Sequence, residues 1–199
     1  MRNSLKLALA AGAFASVAPA SVFAQQAPVA RELTVPGNPI LADGDYYSTD
    51  PAPFVADGQL WILAGRDEAA SDVNDFIMPE WQLLKTADPA SGKWTHYPAI
   101  LKPENVFAWA EPARAYAGQI IQGPDKRYYL YAPVLEKNSD AKDRFAIGVA
   151  VADSPLGPWR DAHPSGPIIS QKVPVANDIQ NIDPTTMIDD DGRVYIYWG

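Results

Sequence analysis

The sequence predicts an all-β fold of the β-propeller class, and three observations carry that prediction. First, two Asp-Pro steps open the same hairpin pattern. Asp50-Pro51-Ala52-Pro53-Phe54-Val55 runs through Asp57-Gly58 to Leu60-Trp61-Ile62, and Asp183-Pro184-Thr185-Thr186-Met187-Ile188 runs through Asp190-Asp191-Gly192 to Val194-Tyr195-Ile196-Tyr197. Each is an acidic residue at a strand start, a Gly-bearing turn and a second apolar, aromatic-rich strand. Second, the pattern repeats: Asp50, Tyr116 and Asp183 each stand four residues before an apolar pair, and the three starts are 66 and 67 residues apart. Third, 19 prolines and 11% aromatic residues in 199 favour a turn-rich β chain.

The elements follow in order. Residues 1–24 read as a secretory signal, with Arg2 and Lys6 ahead of an apolar stretch from Leu7 to Ala18 and a small-residue cleavage site at Val22-Phe23-Ala24. The apolar stretch is shorter than the about 20 residues a membrane span needs, and Pro19 follows it closely. Residues 25–40, rich in Ala, Pro and Gly and without periodicity, read as a linker. Residues 41–199 carry the repeat. Its second mark is the match of Ala87-Asp88-Pro89-Ala90-Ser91-Gly92-Lys93-Trp94 with Ala152-Asp153-Ser154-Pro155-Leu156-Gly157-Pro158-Trp159, 65 residues on. These segments follow apolar runs at Trp81 to Thr86 and Phe145 to Val151, so each repeat holds two hairpins, or four strands. Radially repeated four-stranded sheets are propeller blades. The chain then holds about two and a half blades, the third ending after one hairpin. Closed rings have roughly four to eight blades, so the chain is expected to be the N-terminal part of a longer protein or a truncated product.

Charge narrows the partners. Without Arg2 and Lys6 the chain has 14 basic and 24 acidic residues, a net charge of −10. Nucleic acid and anionic membrane both call for basic patches, so neither is an expected partner. The absence of cysteine excludes disulfides and thiolate metal sites.

A propeller blade's first strand lines the central channel, so Asp50, Tyr116 and Asp183 are expected to ring one mouth of it. The loops 66–80 and 132–144 would return to that mouth. Their charges Arg66, Asp67, Glu68, Asp72 and Asp75 read as solvated loop residues. Two carboxylates facing one channel suggest glycoside hydrolysis, in which paired Asp/Glu flank the scissile bond, roughly 6.5–9.5 Å apart when the reaction inverts.

At these residues the sequence resembles glycoside hydrolase family 43, five-bladed propellers that act on arabinosides and xylosides. The matching stretches are Asn38-Pro39-Ile40-Leu41, Tyr47-Ser48-Thr49-Asp50-Pro51-Ala52-Pro53-Phe54, Ile147-Gly148-Val149-Ala150-Val151-Ala152-Asp153-Ser154-Pro155-Leu156-Gly157-Pro158-Trp159, and Ile182-Asp183-Pro184-Thr185 through to Tyr195-Ile196-Tyr197-Trp198-Gly199. The resemblance implies an incomplete five-bladed propeller and inversion by three acids. Asp50 is in the position of the general base and Asp183 in that of the acid that tunes and orients the general acid. The general acid itself is a Glu on a later blade, expected beyond Gly199, so the 199 residues alone are expected to be inactive. Relatives often carry Ala-Trp-Ala-x-Gln where this chain has Ala115-Tyr116-Ala117-Gly118-Gln119, which makes Tyr116 and Gln119 candidates for the substrate site. The family works without an organic cofactor. It often holds a cation or water cluster in the channel with a His from a later blade, and no ligand cluster for one is visible in this sequence. The expected protein is a secreted or periplasmic hydrolase of arabinose- or xylose-containing saccharides. The alternatives are a non-catalytic glycan-binding propeller, a retaining five-bladed relative active on fructans, and a decayed gene product that never folds.

Other motifs have plainer readings. Trp94 and Trp159, at equivalent places on outer strands, read as packing residues between blades, while Trp109, ahead of the second blade's inner strand, is a candidate to reach the sugar. His96 and His163 lack metal-ligand partners at useful spacing and read as surface residues. Asp189-Asp190-Asp191-Gly192 lacks the flanking helices of a calcium-binding hand and reads as a hairpin turn.

Overall fold

A two-residue hairpin loop whose central residues both have positive φ matches the twist of the strands it joins, and Asn-Gly or Asp-Gly adopts it most readily. Asp57 and Gly58, at φ 50° and 70°, form such a loop between strands β2 (Tyr47–Ala56) and β3 (Gln59–Asp67). The computed structural model describes residues 28–199 except 43, 45 and 175–177. The expected signal at 1–24 lies outside the described residues.

Blade one continues through β4 (Trp81–Thr86) and β5 (Lys93–Leu101), each antiparallel to the strand before it. Asp88 caps the short 3-10 turn between them by accepting a bond from the Ala90 N–H (2.9 Å), and Gly92 leaves it at φ 69°. A one-turn helix, α1 (Pro103–Val106), leads to blade two: β6 (Gln119–Gln122), β7 (Tyr128–Leu135), β8 (Phe145–Ala152) and β9 (Arg160–Asp161). Blade three contributes β10 (Thr185–Ile188) and β11 (Val194–Tyr197), paired antiparallel. The sheets hold five, four and two strands, in line with two and a half blades.

The fifth strand of the first sheet corrects the reading of 25–40 as linker. Arg31–Thr34 forms β1 and pairs antiparallel with β5, Leu33 opposite Trp94. Four residues are too short for periodicity to register, but they cover an edge whose N–H and C=O groups would otherwise be exposed.

The core lies between blades one and two. Trp61, Leu63, Trp81 and Leu83 of blade one meet Ile120, Tyr128, Leu130 and Trp159 of blade two, with Phe107 of the connection between them. Trp159 is therefore an inter-blade packing residue, as expected. Trp94 is also buried but faces the other side of blade one, where a crevice is lined by residues of 35–40. His96 is on that side too and corrects its reading as a surface residue: it is fully buried, hydrogen-bonded through Nε2 to Gln82 Oε1 (2.7 Å) and edge-on to Tyr46. The alternation of β5 turns His96 inward. His163 is exposed, in a turn closed by its Nδ1 and the Gly166 carbonyl (2.8 Å). Arg66 is likewise no solvated loop charge. It pairs with the buried Glu80 (2.9 Å) and lies over the Tyr46 ring, because β3 extends further than its turn residues suggest. Among the described residues no helix is long and apolar enough to cross a membrane.

Candidate active site

Proline cannot donate to a sheet ladder, and it pushes the residue before it away from helical φ/ψ. Asp50 meets that constraint inside a bulge: Thr49 pairs with Gly65 and Ala52 with Leu63, so Asp50 and Pro51 both fall opposite a single residue of β3. Asp50 takes the left-handed conformation at φ 51°, which Asp tolerates better than most residues. Asp183, also before a proline, takes the same conformation at φ 50°. Two residues 133 positions apart therefore share an unusual backbone state, and such states persist where surrounding structure holds them.

The strand starts converge. One crevice of about 380 Å³ is lined by residues 50–53 of blade one, 117–119 of blade two and 183–185 of blade three. Asp50 and Asp183 are the carboxylates of that lining. Burial pushes the Asp183 carboxyl above its ordinary range, and the nearby charge of Asp50 pushes it further in the same direction. Gly118 keeps blade two's side of the crevice close to its own sheet: a Cβ there would lie 3.0 Å from the Tyr131 carbonyl oxygen and 3.2 Å from Leu130 Cδ1.

The other candidates divide. Gln119 lines the crevice, and its Oε1 accepts from the Thr186 backbone N–H (2.5 Å) and hydroxyl (2.8 Å). Tyr116 sits just outside that lining. Its carbonyl accepts from Trp81 Nε1 (2.8 Å), its ring lies 5.2 Å from that of Phe145, and burial raises its phenol above the usual range against the opposing pull of Arg114. Trp109 is not brought to the crevice. Its ring packs on Phe107 and its Nε1 donates to Asp161 of β9 (3.2 Å), so it secures the outer part of blade two.

Arg114, which interacts with Tyr116, is a residue that sequence reasoning missed. It donates to both carboxylate oxygens of Asp75 (3.0 and 3.1 Å) and to the Phe76 carbonyl (2.7 Å). The Arg114 hydrogen bond, then the Phe76 backbone N–H, hold the Asp75 carboxyl below its ordinary value. Asp75, read as a solvated loop charge, is thus fixed beside Tyr116 by a partner 39 residues away, and only the proximity of Arg114 to Tyr116 in sequence hinted at it. Among the described residues no three His, Asp or Glu side chains converge where a metal ion could sit.

Comparison with known proteins gives this geometry its context. The sequence profile of "Glycosyl hydrolases family 43" matches residues 73–199. A xylosidase/arabinosidase of Bacteroides ovatus is 33% identical over 167 residues, covering 80% of this chain and 45% of that protein. Xylosidase/arabinosidase 43A of Humicola insolens is 31% identical, covering 77% and 43%. Among solved structures, a β-xylosidase/α-arabinofuranosidase from a compost microbial metagenome, in complex with xylotriose and calcium-free, superposes with a TM-score of 0.62 at 29% identity, covering 86% of this chain and 47% of that one. A Xanthomonas citri family 43 enzyme complexed with xylotriose gives 0.59 at 30% identity, covering 78% and 40%. The chain thus spans less than half the length of the curated relatives it matches. It belongs to glycosyl hydrolases family 43.

Proposed function

We propose that this chain supplies part of the catalytic domain of an inverting glycoside hydrolase acting on arabinose- or xylose-containing oligo- or polysaccharides. The observation that carries this reading is the convergence of Asp50 and Asp183, from blades one and three, on one crevice. In the reaction Asp50 takes a proton from water as that water attacks the anomeric carbon, on the face opposite the leaving group. The general acid protonates the departing oxygen. Asp183, ionised, holds that acid's pKa up by like-charge repulsion and orients it. Tyr116 and Gln119 contribute to the sugar site, Tyr116 through an aromatic face with a polar tip.

By the family pattern the general acid is proposed to be a Glu on a later blade, and on that reading the 199 residues alone are expected to give no turnover. The chemistry needs no organic cofactor. The protein is proposed to be secreted or periplasmic and to bind neither nucleic acid nor membrane after its signal is removed. One experiment tests the core of this. A longer protein carrying the chain is given aryl arabinofuranosides and xylosides, and the first-formed anomer is read by proton NMR. Inversion that disappears in Asp50→Asn supports the proposal. Retention, or unchanged turnover in that variant, removes Asp50 from the role of base.

A further inference from the structure

Within its own sheet β10 pairs only with β11, so nothing in blade three sets where Asp183 stands relative to Asp50. Blade two supplies two connections: Asn181 donates to the Phe145 carbonyl (3.3 Å) ahead of Asp183, and Gln119 holds the strand that follows it. Gln119 opens β6, where it is held in register opposite Tyr131, and reaches across to the second residue of β10. Its Oε1 accepts both the Thr186 backbone N–H at 2.5 Å and the Thr186 hydroxyl at 2.8 Å. A backbone N–H can only donate, which fixes the orientation of the amide: oxygen towards Thr186, nitrogen away from it. Thr186 is 6% exposed, so losing this acceptor strands a buried donor, the costly way to break a hydrogen bond. Two residues, Pro184 and Thr185, separate Thr186 from Asp183, and Pro184 stiffens that short link.

We infer that Gln119 and Thr186 form a tie between blades two and three that fixes Asp183 opposite Asp50. Gln119 is then a positioning residue as well as part of the crevice wall. The inference rests on the proposed reading that the two aspartates work as a pair. It gives a role to Thr186, the second residue of β10, which is buried while its neighbours Thr185 and Met187 are exposed. It also accounts for an amide at position 119: Ala there offers no acceptor, and Glu would add a third carboxylate to the crevice.

The test reads position rather than turnover. The full-length protein is labelled with carboxyl-¹³C aspartate, Asp183 is assigned by its loss in Asp183→Asn, and its titration is followed by NMR. In the wild type Asp183 titrates above the ordinary carboxyl range and falls on Asp50→Asn. In Gln119→Ala and Thr186→Val it shifts towards the ordinary range, and the further effect of Asp50→Asn drops to less than half its wild-type size. Thr186→Ser, which keeps the hydroxyl, restores both. Thr186→Val keeps the backbone N–H bond to Gln119, so it carries the test if Gln119→Ala does not fold. An unchanged Asp183 titration in a folded Gln119→Ala or Thr186→Val overturns the tie, as does a Thr186→Ser as defective as Thr186→Val. A wild-type protein without hydrolytic activity that still shows this Gln119 dependence sinks the hydrolase reading and keeps the tie.

Discussion

The hairpin β2–β3 of blade one and the hairpin β10–β11 of blade three begin alike and end differently. Each opens on Asp-Pro with the aspartate at φ 51° or 50°, and each turns through a glycine at φ 70° or 81°. In blade one the second strand is interior to a five-stranded sheet, with Trp61, Leu63 and Ala64 buried. In blade three the second strand is an edge, and Val194, Tyr195 and Tyr197 are exposed. Blade three is held at its base instead: Asn181 donates to the Phe145 carbonyl (3.3 Å) and accepts from Trp198 Nε1 (3.0 Å), and Gln119 grips Thr186. The local sequence thus sets the conformation of each carboxylate, while the sheet next door sets where the carboxylate stands.

The largest effect that would break the likeness is on activity. In the longer protein Asp50→Asn is expected to lower kcat by about 10²–10⁴-fold, the usual contribution of a general base. It should also flatten the acidic limb of the pH profile. If Asp183 only tunes and orients the acid, Asp183→Asn should instead shift the basic limb, where the acid loses its proton, downwards in pH. Identical profiles for the two variants would mean that matching backbone states carry matching roles, contrary to the assignment.

The next effect concerns stability. Trp81 is fully buried and its Nε1 donates to the Tyr116 carbonyl. Trp81→Ala is expected to cost about 3–5 kcal/mol in denaturant unfolding. Tyr197, 58% exposed on blade three's edge strand, should change stability by no more than about 0.5 kcal/mol when replaced by Ala. Comparable losses would show that blade three is packed as firmly as blade one.

The same contrast explains what the sequence could reveal. The 66-residue spacing, the two Asp-Pro steps and the Asp57-Gly58 turn are local signals, and they led to the blades and to both crevice carboxylates. Strand β1 left no signal, because its pairing with β5 satisfies an edge about 60 residues away and depends on backbone groups common to every residue. The burial of His96 and the Arg66–Glu80 pair depend on what covers blade one's far side, which no spacing encodes. The contacts of Trp109 and Arg114 were not legible in the sequence, for one reason. Each stands near Tyr116 in sequence, but Asp161 of β9 and Asp75 of the 66–80 loop, both distant in sequence, decide where the two side chains point.

The smallest expected effect is the pH dependence that separates Asp183 from an ordinary surface carboxylate. Its folded-state pKa is raised, by burial first and by Asp50 second. Ionising it therefore opposes folding. Stability from this group is fully present below the unfolded carboxyl value of about 3.9 and is lost as pH rises through the raised folded value. Asp183→Asn removes the charge, so the variant should be more stable than wild type at neutral pH, by well under about 1 kcal/mol because the group is partly solvated. The difference should vanish as pH falls through the folded value to about 3.9. Asp50→Asn removes the second cause and leaves the first, so in that background Asp183→Asn should gain less. An Asp183→Asn protein that melts earlier than wild type at neutral pH would mean that the Asp183 charge is compensated by a partner, and that the carboxylate holds blade three in place rather than facing Asp50 at a cost.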